Sequence, residues 1–530
     1  MRPVRIGWVR LRPARWKPSL SLTLEVAAAL AIWELAGRMK WIADGALPAP
    51  SAILVRLWID WADYPPHLAA TLTTAAVGFL IGNAIGIVCG TLFAFSPVAE
   101  RLFRGVNVAI FALPAIAIVP VLVLTLPSDG ARIVLAALGC YFTTMTATMV
   151  GLASADPRGI DVVRGWGGGR AAVFRYVRLP AAVPAILSGL QVGAPNALLG
   201  SILAEFGGGG RWGLGAYLIG SLGRAEPDRL WGIGLVATAC AAVGYAAFGL
   251  LGRALTGSVR AATLPTGTAA LPAPALGRSG RLALAAGAVL MPFALWWGAV
   301  AASGLPAMLV KSPLDVFAYL TAGPRAEGVR ERLIGALAET LPPSLAGVAL
   351  GVVAALLLAV LAEAAPRLAR LMMPLSLFTQ AMPLVALTPI LVLVFGRGTA
   401  VMLAVTVSVT FFPAYVLLAQ GLAAVPQGAR DLGRAYGASR WRELRLIALP
   451  AAVPHLFAAI RLAAPRAILG VMIAEWLATG TGLGNLLNRA RGMLDYGMIW
   501  SVAVLSVLVS VALYELVSAA EGAVMRRRGG

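Results

Sequence analysis

The 530-residue chain has little of what soluble enzymes are built from. Only 12% of its residues are charged, and lysine occurs three times, at Lys17, Lys40 and Lys311. A typical soluble domain is about a quarter charged. Histidine occurs twice, at His67 and His455, too far apart in sequence to suggest a shared metal site. The three cysteines, Cys89, Cys140 and Cys240, sit in apolar stretches without paired spacing. That excludes a disulfide framework and a CxxC metal site. None of the three lysines follows a glycine, so a G-x-x-x-x-G-K-[ST] phosphate loop is absent and the chain is not its own ATPase by that route. Acids are also scarce: 23 against 43 Lys and Arg, a formal net charge of +20. In a chain this apolar, the basic excess points to loops anchored at a membrane surface and not to nucleic-acid binding.

What is abundant is apolar sequence, at 59% of residues and a mean hydropathy of +0.84. A spanning helix needs about 20 mostly apolar residues. Twelve stretches qualify: 20–37, 71–95, 105–126, 131–152, 183–205, 229–251, 282–302, 340–362, 371–395, 399–420, 456–476 and 497–519. The basic start resembles a signal-peptide n-region, but the apolar run after it is too long and lacks a small-x-small cleavage site. Arginines concentrate in 153–182, 421–455 and the two ends. The positive-inside rule places both long loops and both termini in the cytoplasm.

The sequence repeats itself. ALPAIAIVP at 112–120 matches AMPLVALTP at 381–389, pairing Pro114 with Pro383 and Pro120 with Pro389. LPAAVP occurs at 179–184 and again at 449–454, and Ala204-Glu205 recurs as Ala474-Glu475. Six spans separate equivalent positions, so the halves share one orientation, as in parallel-repeat transporters. Between them, 252–281 is small, polar and rich in Pro and Gly, as a linker should be. The expected organisation is a first module at 1–251, a cytoplasmic linker and a second module at 282–530.

The second basic loop reads DLGRAYGASRWRELRLIALPAAVP, 431–454. It resembles the cytoplasmic loop of ABC-transporter permeases, whose pattern is E-A-A, three residues, Gly, nine residues, Ile, one residue, Leu-Pro. Asp431 stands at the Glu position, followed by Gly437, Ile447, Leu449 and Pro450 at the remaining ones; Leu432 and Gly433 replace the two alanines. In the first half, Asp161, Gly167, Val177, Leu179 and Pro180 fall at the same places. That half departs further, with Val162-Val163 and Gly168-Gly169, which leads us to expect unequal coupling of the two loops. LPAPSAI at 47–53 and AEWLATGTGLGNLL at 474–487 are similar to the nitrate/sulfonate/taurine subgroup. The resemblance covers roughly 45–250 and 305–520 and implies two permease modules fused in tandem. The implied fold is an all-α polytopic membrane protein with about twelve transmembrane helices in two parallel six-helix repeats, the type I ABC importer transmembrane-domain fold. It also implies no cofactor, two separate ATP-binding subunits and an extracytoplasmic solute-binding protein in the bacterial cytoplasmic membrane.

The loop chemistry fits that reading. Leu432, Tyr436, Leu444 and Ile447 alternate with arginines, consistent with a short amphipathic helix. The alternative is a basic loop that only fixes topology or binds lipid headgroups. GGGGRWGLG at 207–215 lacks a lysine and reads as a turn, not a phosphate loop. Candidate pathway-lining residues are the mid-span prolines Pro114, Pro120, Pro383 and Pro389, the acids Glu205 and Glu475, and the pairs Gln191/Arg461 and Asn196/Arg466. An arginine facing the pore would attract an anion. The resemblance to that subgroup implies a small anion, nitrate, a sulfonate or taurine, as the solute. A heterocycle related to thiamine precursors, or an ion-coupled secondary transporter, is the alternative.

Overall fold

A computed structural model describes residues 20–126, 129–224, 226–256, 277–365, 382 and 384–527; they are helical, with no strand among them. The first half contains α1 (Leu20–Arg38), α2 (Pro50–Ile59), α3 (Tyr64–Phe95), α4 (Pro97–Ala112), α5 (Ala115–Thr125) and α6 (Gly130–Ala153). Next come α7 (Pro157–Gly165), α8 (Arg170–Val173), α9 (Leu179–Gly208), α10 (Leu214–Leu222) and α11 (Pro227–Thr256). The second half contains α12 (Arg278–Ser303), α13 (Pro313–Thr321), α14 (Ala326–Ala364), α15 (Leu384–Phe395) and α16 (Thr399–Ala423). It ends with α17 (Gln427–Ala435), α18 (Arg440–Glu443), α19 (Val453–Ala474), α20 (Gly482–Gly492) and α21 (Tyr496–Arg527). An apolar solvent leaves backbone groups no partner but one another, so helices are the form such sequences take.

Among the described residues, nine helices are long and apolar enough to cross a membrane, or ten if the bent pair α4–α5 counts as one. One of the twelve expected spans differs. The stretch 105–126 is not one straight helix: α4 and α5 meet at a 98° bend. Pro114 lacks an amide hydrogen and, in extended conformation, caps α5, so the chain turns there. Pro120, by contrast, is carried inside α5. The first stretch forms α1, and the side chains of 20–26 and of Ala29 lie outside the described residues. Of 371–395, only Met382 and α15 are described; Pro383 and most of the linker (257–276) lie outside the described residues. Helix α11 runs on to Thr256, past the expected module end at 251.

Small residues set the packing within each half. Gly78, Gly82, Gly86 and Gly90 form a four-residue stripe on α3 facing α6. A Cβ on Gly78, Gly86 or Gly90 would come within 2.5–2.9 Å of α6 atoms, and one on Gly82 would strike the Ala137 carbonyl. Between helices in lipid there is no hydrophobic drive, so close backbone approach supplies the attraction. Gly347 and Gly351 on α14 play the same part against Thr406 and Thr410 of α16.

The halves interlock by exchanging short helices. Ile116, Ala117 and Val121 of α5 are buried in a cluster with Ile468, Met472, Leu483 and Met498 of the second half. Reciprocally, Ala386, Leu387 and Ile390 of α15 are buried with Leu198, Ile202, Leu214 and Ile233 of the first. Helix α12 also crosses onto α4, where Gly105 faces the Ala288 carbonyl.

Candidate coupling loops and membrane-interior polar sites

The two basic loops fold identically. From 151 to 180 and from 421 to 450 the helical assignments agree residue for residue. Trp166 caps the end of α7, and Tyr436 caps the end of α17. The next residue is Gly167 at φ +78° or Gly437 at φ +70°, the left-handed conformation that closes a helix. The Gly168 amide then donates to the Val163 carbonyl, and the Ala438 amide to the Gly433 carbonyl, both at 2.9 Å. Thus the glycine of the motif is required by its backbone, not by crowding: no atom lies within 4 Å of a Cβ at either position.

After α8 and α18 the backbone widens to a π-turn, Phe174–Arg178 and Leu444–Ala448. The Leu-Pro pair follows at Leu179-Pro180 and Leu449-Pro450. A proline cannot donate and its ring crowds the preceding turn, and the wider turn accommodates it. Val177 and Ile447 pack back onto the short helices at Gly159 and Gly433. Asp161 and Asp431 are exposed.

Each loop presents an apolar knob to solvent at matched positions: Val162, Trp166 and Tyr176 in the first, Leu432, Tyr436 and Leu446 in the second. Trp166 is 90% exposed and Tyr436 85%. Aromatic residues are enriched in protein interfaces, and these two stand exposed beside arginines at matched positions.

What holds each loop to its bundle differs. In the second, Arg430 pairs with Glu363 at 2.5 Å and with Glu443 at 3.4 Å, and Arg434 reaches Glu443 at 3.3 Å. Glu443 is buried, and Arg430 also donates to the Leu422 carbonyl at 2.7 Å. The bond to Glu363, with the charge of Glu443 behind it, raises the Arg430 guanidinium above its ordinary value despite burial. In the first half the equivalent positions are Ala94, Ile160 and Val173. There an aromatic contact does the work: Phe95 meets Phe174 edge-on at 5.5 Å, and Arg178 lies 5.1 Å over the Phe95 ring. Glu363 and Glu443 carried no motif signal in the sequence.

At the opposite end of the bundle, Glu205 and Glu475 are buried, 0% and 1% exposed. Glu205 accepts from the Thr71 hydroxyl at 2.8 Å and the Gly215 amide at 2.9 Å, while the Leu214 amide donates to the Thr71 hydroxyl. Glu475 accepts from the Thr340 hydroxyl at 2.7 Å and the Gly484 amide at 2.8 Å, and Leu483 donates to Thr340. Each carboxylate thus ties the start of α10 or α20 to α3 or α14. The repeated Thr-Leu at 71–72 and 340–341 and Gly-Leu-Gly at 213–215 and 482–484 were visible signals for this lock.

The remaining candidates divide. Arg461 donates to Glu521 on α21 at 2.6 Å and lies over Tyr514. Its counterpart Gln191 packs at Gly249 of α11. Pro114, Pro120 and Pro389 are buried, and Asn196 is half-buried. Arg466 is the one exposed residue of α19. An arginine in the middle of a span costs about 2.5–3.5 kcal/mol on insertion scales unless water or a partner receives it.

Comparison with known proteins follows this geometry. The family described as binding-protein-dependent transport system inner membrane component matches residues 82–261 and again 341–529. A probable ABC transporter permease protein of Haemophilus influenzae is 30% identical over 168 residues, 32% of this chain and 69% of the relative. A formylaminopyrimidine transport permease of Halalkalibacterium halodurans is 32% identical over 184 residues, 33% of this chain and 74% of its own. A putative aliphatic sulfonates transport permease of Bacillus subtilis is 30% identical over 213 residues, 38% of this chain and 74% of its own. With the family matched twice along an all-α chain, the protein belongs to the binding-protein-dependent ABC transport permeases and carries two of their modules in tandem.

Proposed function

We propose that this chain supplies both transmembrane bundles of an ATP-driven importer, each loop docking on one of two separate ATP-binding subunits. The repeated exposed knob, Val162-Trp166-Tyr176 and Leu432-Tyr436-Leu446, carries the reading, because a loop that served only topology would have no use for it. In this reading both loops and both termini face the cytoplasm of a bacterial inner membrane, and a solute-binding protein delivers cargo to the opposite face. Closure of the ATP-binding pair moves α7 and α17. Through the π-turns and the Leu-Pro pairs, it turns α9 and α19. Work is done only if ATP and loaded binding protein favour different states of the bundle. The solute is a small anion of the nitrate, sulfonate or taurine kind. A pyrimidine-like heterocycle is the second reading, favoured by the likeness to a formylaminopyrimidine permease. An ion-coupled mechanism is less well supported, since Glu205 and Glu475 are both committed to turns.

The test is co-purification of the detergent-solubilised chain with the ATP-binding protein encoded beside it, for wild type, Gly167→Asp and Gly437→Asp. Retention by wild type and loss of ATPase stimulation in the variants is the expected result, larger for Gly437→Asp. No association of the wild type overturns the reading; equal loss in both variants overturns the asymmetry.

A further inference from the structure

Arg466 sits thirteen residues from either end of the candidate span Val453–Thr479, at its midpoint. It is the one exposed residue of α19, between buried Ala463, Ala464 and Pro465 on one side and buried Ala467 and Ile468 on the other. The helix that carries it is enclosed. It packs against α14, α16, α20 and α21 of its own half and against α4 and α5 of the other. An exposed side chain at the centre of an enclosed helix opens onto space inside the protein, not onto lipid. The same helix shows what a structural arginine looks like: Arg461 is tied to Glu521. Arg466 has no ion pair or hydrogen bond among the described residues. The nearest acid along the helix, Glu475, is committed to Thr340 and Gly484.

Resting on the transport reading above, we infer that Arg466 is the pathway's anion-recognition residue, and that the second module alone supplies it. A guanidinium presents a planar fork of donors that matches an oxyanion such as a sulfonate or carboxylate. At the midplane, flanked by apolar wall, its charge is screened far less than at the surface. Transporter sites also tend to form at this depth. The equivalent position in the first half is Asn196, half-buried and neutral. The pathway therefore meets its cargo with one cation on one side and an amide in the matching register, an arrangement suited to a monoanion.

The experiment uses the full-length chain in detergent, titrated with sodium ethanesulfonate at constant ionic strength and followed by thermal unfolding, with choline chloride as the cation control. Wild type should show a saturable ethanesulfonate-dependent rise that choline does not reproduce. Arg466→Gln should weaken the apparent affinity on the order of tenfold or more, as loss of a charge-assisted hydrogen bond does. Arg466→Lys should retain part of it, and Arg461→Gln should keep the wild-type response. No saturable response of the wild type, or an unchanged one in Arg466→Gln, overturns the inference. Retention of the ATP-binding protein by the same preparations separates the two claims. If it is retained while Arg466→Gln behaves as wild type, this inference fails and the importer reading stands. If it is not retained, the importer reading fails.

Discussion

Replacing Glu475 by alanine decides whether that carboxylate is a lock or a lining group. In the folded chain it receives the Gly484 amide at 2.8 Å and the Thr340 hydroxyl at 2.7 Å, and it is 1% exposed. Thr340 has a second acceptor, the Ala336 carbonyl at 3.0 Å, so its hydroxyl can turn away without loss. Among the described residues the Gly484 amide has only this carboxylate as acceptor, and leaving a buried amide unmet costs about 1–3 kcal/mol. The vacated side-chain volume adds about 1–2 kcal/mol, because the wall of Met472, Leu483 and Gly484 is too tightly packed to collapse. Together the loss is roughly 2–5 kcal/mol, which lowers the unfolding temperature of a module this size by about 5 °C or more. Glu475→Gln keeps an acceptor for Gly484 and should lose roughly 1 kcal/mol. Glu205→Ala should behave like Glu475→Ala, through Gly215 and Thr71. Thermal unfolding of the purified chain, followed by tryptophan fluorescence, reads all three. An alanine variant that unfolds at the wild-type temperature yet fails to transport would refute the reasoning and make the acid part of the pathway.

Two other outcomes are expected. Arg430→Met leaves Glu363 unpaired and Glu443 with Arg434 alone, so amides in 427–448 should exchange about tenfold faster or more, while those in 157–178 stay unchanged; equal acceleration of both loops would contradict the difference in anchoring. Gly82→Leu drives a side chain into the Ala137 backbone of α6 and should abolish accumulation of folded protein, whereas Gly165→Leu, with open space around its Cβ, should leave accumulation unchanged.

The duplicated loops were legible in the sequence because their determinants are local. A glycine after an amphipathic turn and a Leu-Pro before a span each prescribe backbone geometry within a few residues, and Gly167, Gly437, Pro180 and Pro450 do what their residue types dictate. The break at Pro114 was only half legible, since Pro114 and Pro120 look alike in sequence. One caps a helix and the other rides inside it, and which does which depends on the packing of α5 against the other half. Glu443 and Glu363 were illegible, being eighty residues apart and brought together only by the return of α14 to the loop end. The acids Glu205 and Glu475 were found by repeat, but their partners lie about 135 residues earlier on another helix, and hydropathy carries no trace of that pairing.

Tandem fusion gives a physical reason for the differences between the halves. In an assembly of two identical subunits every side chain near the axis occurs twice, and two facing guanidinium groups in a poorly screened interior would repel each other. A fused chain escapes that constraint. It can hold an arginine, Arg466, in one half and the neutral Asn196 at the matching position of the other. The same freedom extends to the loops, where one is held by buried ion pairs and the other by Phe95, Phe174 and Arg178. Ion pairs have preferred partners and break when one is displaced, whereas an aromatic contact slides at little cost. Amide exchange in Arg430→Met is the measurement that decides whether the second loop is the stiffer of the two. The left-handed glycines and the Glu-Thr-Gly locks occur in both halves, and each closes a turn with partners from its own half.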